Sequence, residues 1–100
     1  MNLKDEFEPI RQWATDKGIY ESGDPKTQTL KLLEEAGELA KAIIHKNEAE
    51  IKDAIGDCVV VLVSIAKLSK LDFEDCINSA YKVIESRKGK MSNGTFVKNA

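Results

Sequence analysis

Little in this chain points to the commoner chemistries. It has only two cysteines, and Cys58 and Cys76 lack the paired spacing of a zinc site or a redox motif. Both read as small core residues, which fits a reduced, cytoplasmic setting. There is a single histidine, His45, at the expected end of a helix, where its charge favours the helix dipole. Long apolar runs are missing too. The longest, Cys58 to Val63, is far too short to span a bilayer, and the N-terminus has no apolar stretch of the kind a secretory leader needs. Neither sign of charge dominates. With 15 basic and 17 acidic side chains the net charge is −2, which gives no general drive toward nucleic acid or membrane. A local basic cluster can still hold phosphate. No segment repeats and none is low in complexity.

What is present describes a small globular protein. The 100 residues suit one domain, 1–100, and the chain is 42% hydrophobic and 32% charged. A chain this short buries only a modest core. Oligomerisation would supply more buried surface.

The punctuation predicts four helices. The first runs from about Leu3 to Asp16, with Pro9 either kinking or starting it. Gly18 to Gly23 reads as a loop. Asp24-Pro25 is a helix start, with Asp24 as cap and Pro25 in the first turn. This second helix continues to about His45, and Leu30, Leu33, Ala36, Gly37, Ala40, Ile43 and Ile44 recur at three- and four-residue spacing along one face. Asn47 caps a third helix, with Glu50 placed for a capping box, reaching about Lys70. Its β-branched run suits a strand, but the patterned length without turn signals favours a helix. Asp72 caps a fourth helix ending near Arg87-Lys88-Gly89. In the tail, Ser92-Asn93-Gly94 is a turn. Four helices with short loops give an all-α bundle.

Two acidic clusters carry the chemistry: Glu34-Glu35-Ala36-Gly37-Glu38 and Asp53-Ala54-Ile55-Gly56-Asp57. Glu34/Glu38, Glu35/Glu38 and Asp53/Asp57 stand three or four residues apart on one helix face, where like charges repel. A divalent cation reverses that penalty, and Mg²⁺ prefers such oxygen donors, shared with substrate phosphates. The first cluster alone also describes a solvated face, opposite the apolar arc and within reach of Lys31 and Lys41. Asp57 is different. It opens a helix that is apolar almost all round from Ile55 to Ala66, and Asp53, Asp57, Ser64 and Lys67 form its narrow polar stripe. That stripe must face something polar: the carboxylates of the second helix through Mg²⁺, or a cation such as Lys82 or Arg87.

The segment Glu34-Glu35-x-x-Glu38, followed by acidic-Gly-Asp before an apolar run, resembles the MazG-like nucleoside triphosphate pyrophosphohydrolases of the all-α NTP pyrophosphatase superfamily. The resemblance extends from about Thr29 to Lys98. Asp53 to Leu62 and Arg87-Lys88-Gly89-Lys90-Met91 look like the small single-domain members, bacterial or phage-encoded. The family pattern is E-E-x-x-E and then E-x-x-D. By that resemblance Glu35, Glu38 and Asp57 are metal ligands, and Glu34 is the remaining motif acid, which could be a ligand, a group that orients water and takes its proton, or a helix-face partner. The first acid of E-x-x-D falls at Ala54, which carries none. Asp53, one residue earlier and on Asp57's face, could stand in as a ligand.

The resemblance implies hydrolysis of a (d)NTP to the monophosphate and pyrophosphate with Mg²⁺ (or Mn²⁺), by a cytoplasmic dimer or tetramer of the chain. Lys82, Arg87, Lys88 and Lys90 could hold the triphosphate, although basic residues at a helix C-terminus also favour its dipole. Trp13 could stack on the base or anchor the first helix. Asn78 could hydrogen-bond the base or stand exposed. One rival is a phosphoribosyl-ATP pyrophosphatase, which the Gly-Asp-Cys-Val-Val-Val and Arg-Lys-Gly-Lys segments resemble less. Another is a non-catalytic helical nucleotide-binding module, which the gap at Ala54 favours.

Overall fold

The computed structural model describes residues 5–100. It has five helices and a small hairpin: α1 (Glu8–Asp16), α2 (Ile19–Ser22), α3 (Pro25–Ile44), α4 (Glu48–Leu68), α5 (Phe73–Ile84), β1 (Gly89–Ser92) and β2 (Thr95–Lys98). The helical class and the three long helices are as the sequence predicts.

Local chemistry sets the ends. Pro9 lies in the first turn of α1 and starts it rather than kinking it. The part of the predicted helix at Leu3 lies outside the described residues. Gly18, at φ +79°, breaks the chain after α1, and the expected loop then closes into the single turn of α2. The Asp24 carboxylate accepts from the Thr27 backbone N–H at 2.9 Å and from the Thr27 hydroxyl at 2.8 Å, and these bonds lower its pKa. Asn47 accepts from the Glu50 N–H at 3.1 Å, and Asp72 from the Glu74 N–H at 2.9 Å. α3 and α4 each finish with a lysine in the left-handed region, Lys46 at φ +54° and Lys70 at +62°. The next N–H in each case bonds back into the last turn, Asn47 to Ala42 and Leu71 to Ala66, a Schellman-type closure made without glycine.

α3 and α4 form the main antiparallel pair, and α4 alone touches α1, α2, α3 and α5. Among the described residues, no Cα of α1 or α5 lies within 8 Å of α3, so α4 is the helix around which the others pack. The core is built from small side chains: Ala14, Ala42, Ala54, Val61, Val63, Ser64 and Ala66. α1 and α5 are joined by a two-pronged ion pair, Arg11 Nη1 and Nη2 to the Glu74 carboxylate at 2.7 and 2.8 Å. Phe7 and Phe73 add an edge-to-face contact, with centroids 4.8 Å apart. Cys58 is half-buried, but Cys76, expected in the core, is exposed.

Two expectations are corrected at the C-terminus. α5 stops at Ile84 rather than Arg87, and the tail is a β-hairpin rather than a turn with a coil. Asn93 (φ +51°) and Gly94 (φ +84°) give the doubly left-handed turn that matches strand twist. Met91 pairs with Phe96, and Lys90 with Val97.

The strongest departure concerns α3. Its apolar stripe faces outward: Leu30 is 67%, Leu33 65% and Ile44 75% exposed. The chain exposes 7676 Å², against about 5,700 Å² for a compact monomer of this mass. Its radius of gyration is 15.7 Å, against about 13 Å.

Candidate active site

With the apolar stripe turned out, the acidic side of α3 turns in toward α4. Glu35 is buried, at 7% exposure, while Glu34 and Glu38 are exposed. The solvated-face reading therefore fails for Glu35 and holds for its neighbours. Glu35 Oε1 meets Lys31 Nζ at 3.3 Å, one turn back along α3. Glu35 Oε2 is buried without a hydrogen-bond partner. Lys31 also reaches Glu34 at 3.5 Å, and the two carboxylates raise its ammonium pKa, Glu35 foremost. An orphaned buried carboxylate oxygen is costly, and it suits a cation.

Across from α3, Asp57 is half-buried and Asp53 exposed on α4. Burial pushes the Asp57 carboxyl pKa up, and the negative charges of Asp53 and Glu35 push it the same way, with Lys31 opposing. Two acids from α4 and one from α3 thus share one electrostatic neighbourhood. A cleft of about 530 Å³ between the two helices is lined by Glu38, Lys41, His45, Glu50, Asp53, Ala54 and Asp57. Ala54 forms part of its wall, so both the gap in the acidic pattern and its neighbour Asp53 open onto it. Among the described residues, no three acidic, histidine or cysteine side chains converge into a metal-holding group as they stand. The donors are all oxygens, as a hard cation needs.

Asp57 also borders an apolar hollow of about 350 Å³, with Trp13, Gln28, Lys31, Glu35, Val60 and Ser64 in its walls. A second hollow of similar size joins Trp13 to Pro9, Ile10, Asp57 and Val60. Trp13 is 48% exposed. Its placement is that of a ring beside the carboxylates rather than a core anchor. A further cavity of about 530 Å³ lies among α1, α4 and α5, where Arg11 and Glu74 satisfy one another and Lys67 and Lys70 also line the wall.

The predicted phosphate residues are elsewhere. Lys82 lies in the last turn of α5, Arg87 and Lys88 follow it, and Lys90 is in β1, all of them exposed. Asn78 is half-buried on α5. No Cα of α5 lies within 8 Å of α3, and none of these groups lines the cleft with Glu38 or the hollow with Glu35. Reading the sequence missed Glu50, which lines the cleft. It lies three residues before Asp53 and seven before Asp57, on the same helix face, a spacing that could have found it.

A paired-carboxylate cleft beside an aromatic hollow narrows the chemistry, and comparison with known proteins decides the family. The MazG nucleotide pyrophosphohydrolase domain matches residues 24–92. The chain belongs to the MazG family. The match begins at the Asp24 cap and ends in β1, so the MazG region holds α3, α4, α5 and every carboxylate named above. An uncharacterized 18.2 kDa protein in the rep-hol intergenic region of Haemophilus phage HP1 (strain HP1c1) is 41% identical over 71 residues. That alignment covers 71% of this chain and 44% of the phage protein, so the chain spans less than half of that relative. No solved structure matches it significantly. The MazG family is generally one of nucleotide pyrophosphohydrolases, which are hydrolases. Among the described residues no helix is long and apolar enough to cross a membrane.

Proposed function

We propose that this MazG domain is a Mg²⁺-dependent hydrolase that converts a (d)NTP to the monophosphate and pyrophosphate, acting as a homo-oligomer in the cytoplasm of a bacterium or an infected host. The observation that carries this reading is the buried Glu35 carboxylate, whose second oxygen is unpartnered, sharing its electrostatic field with Asp57 and Asp53. Acids gathered between α3 and α4 in excess of the lysines beside them, Lys31 and Lys41, fit a divalent cation better than a structural role.

Glu35, Glu38, Asp53 and Asp57 would hold Mg²⁺, with Mn²⁺ as a substitute. When bound, the cation neutralises phosphate charge and acidifies water. Glu34, exposed on α3 one residue before Glu35, accepts the proton as the water oxygen attacks the α-phosphorus. The bond from the α-phosphorus to its bridging oxygen breaks, and pyrophosphate leaves. Trp13 offers its face to the base in the adjoining hollow, with Asn78 a candidate base contact. Lys82, Arg87, Lys88 and Lys90 supply positive charge for the triphosphate.

Surface area supports the oligomer. The chain exposes about 2,000 Å² more than a compact monomer of its mass, enough for an obligate interface. Ala54 favours a second reading, a nucleotide-binding module without turnover, because it removes one carboxylate from the cleft wall.

Pyrophosphate release across canonical and modified (d)NTPs, with Mg²⁺ and with Mn²⁺, tests the proposal. Turnover of at least one nucleotide is expected, and Glu38→Gln should abolish it while leaving helicity unchanged. Nucleotide binding without turnover across the panel selects the second reading. Undiminished turnover by Glu38→Gln removes the proposed metal site.

A further inference from the structure

Among the described residues, the C-terminal hairpin has no partner in its own chain. No strand residue comes within 8 Å (Cα–Cα) of any described helix, and all eight strand residues are exposed. An isolated two-stranded hairpin is marginal in water, yet this one is well specified. Its turn is Asn93-Gly94, and the Phe96 ring lies over Gly89, where a Cβ would come within 2.7 Å of it. Met91 and Phe96 are directly paired and so share one face, 67% and 47% exposed. The segment is also one-signed: from Ser86 to the end it carries Arg87, Lys88, Lys90 and Lys98 and no acid.

These features are complementary to the rest of the molecule. The α3–α4 cleft is rich in carboxylates, with Glu38, Glu50, Asp53 and Asp57 in its walls. The excess surface has the size of an interface between copies, as noted above. A basic arm with an apolar face, set apart from the described helices of its own chain, and a cleft whose four carboxylates outnumber the one lysine in its wall, Lys41, together describe a contact between two chains.

We propose that the hairpin is an arm that seats on a second copy of this chain, Met91 and Phe96 packing against it, and lays Lys88 and Lys90 at the mouth of that copy's carboxylate cleft. Each active site is then composite, with acids from one subunit and triphosphate-binding cations from the other. This rests on the hydrolase reading for its substrate, but the docking itself does not.

Mixed subunits test it. Glu38→Gln and the double variant Lys88→Ala/Lys90→Ala should each be severely impaired alone. Mixed and allowed to exchange, they should recover roughly a quarter of wild-type turnover, because half of the dimers are mixed and each has one unaltered site. If the arm serves its own subunit, both sites of the mixed dimer are defective. No recovery, or a Lys88→Ala/Lys90→Ala variant as active as wild type, overturns the proposal. Hydrogen exchange gives a readout independent of turnover. The β1 and β2 amides should be protected in the assembled wild-type protein and lose protection in Phe96→Glu. Free-peptide exchange rates in the assembled protein overturn the docking. Protection with no turnover of any nucleotide leaves the arm standing and removes the hydrolase reading instead.

Discussion

Lys31 Nζ sits 3.3 Å from Glu35 Oε1 and neutralises one side of a carboxylate whose other oxygen has no partner. Without a metal, Lys31 is the cation nearest this buried acid. Lys31→Met should therefore destabilise the metal-free protein, because the buried Glu35 carboxylate loses its neighbouring cation. The variant should also gain more in Tm than wild type when Mg²⁺ or Mn²⁺ is added, because the metal relieves a larger repulsion. Thermal melts with and without metal measure both effects. An equal metal-induced shift in the two proteins would separate Lys31 from the metal site.

Asp53 and Ala54 both line the cleft, so a carboxylate can reach it from either position. Asp53→Asn should lower turnover by about tenfold or more, in the range of a lost metal-site group. Adding Ala54→Glu to that variant should restore at least part of the loss. Turnover measured against Mg²⁺ concentration gives the result. Full activity in Asp53→Asn would show that Asp53 plays no part as a ligand.

Most of the helical plan was legible, because its signals are local. Asp24-Pro25, Asn47 and Asp72 mark helix starts by their own side-chain chemistry, and all three caps are made. The hairpin was less visible since Thr95-Phe96-Val97 is short, and Asn93-Gly94 was read as a turn without its strands. The α3 orientation could not be read from periodicity. An apolar stripe at Leu30, Leu33, Ile43 and Ile44 normally marks the side facing the chain's own core, and here it faces out. The same reversal explains why Glu35 alone in its cluster is buried. Asp57 stood out in the sequence because an acid before a run of valines is costly. Arg11–Glu74 did not, because the two residues are 63 apart and neither belongs to a motif.

Trp13 is the single tryptophan, half exposed beside Asp57, so it reports directly on the hollow. Binding of a non-hydrolysable nucleotide should change its fluorescence in a saturable way. Trp13→Ala should raise KM by about tenfold while changing kcat less, as expected when one stacking contact of about 1–3 kcal/mol is lost. A silent titration with a nucleotide that is turned over would place the base elsewhere.

The Arg11–Glu74 pair makes stability fall in acid. Glu74's carboxyl is lowered from 4.5 to about 2, first by the Arg11 hydrogen bonds. A depressed carboxyl pKa stabilises the folded state fully above the unfolded value and loses that contribution as pH falls through the folded value. Stability should therefore decline between about pH 4.5 and pH 2, and Glu74→Gln should flatten that decline. At neutral pH the same variant should lose about 2 kcal/mol, lowering Tm by about 10 °C. Melts from pH 2 to 7 would show it. A wild-type acid limb retained in Glu74→Gln would assign the loss to other carboxylates.

The outward stripe of α3 gives the sharpest test of assembly. Leu33 and Ile44 are 65% and 75% exposed, and in a lone chain replacing them by glutamate would cost little, since neither packs in a core. If the stripe lies between subunits, each glutamate buries an unpaired charge there, a change that costs several kcal/mol. Leu33→Glu should then shift sedimentation equilibrium toward monomer and lower Tm in a concentration-dependent manner. The carboxylate side of α3 is unaltered, but turnover should fall with the oligomer if sites are shared between subunits. A Leu33→Glu protein with wild-type mass in solution and unchanged Tm would mean that the stripe is solvent-facing in the assembled protein as well.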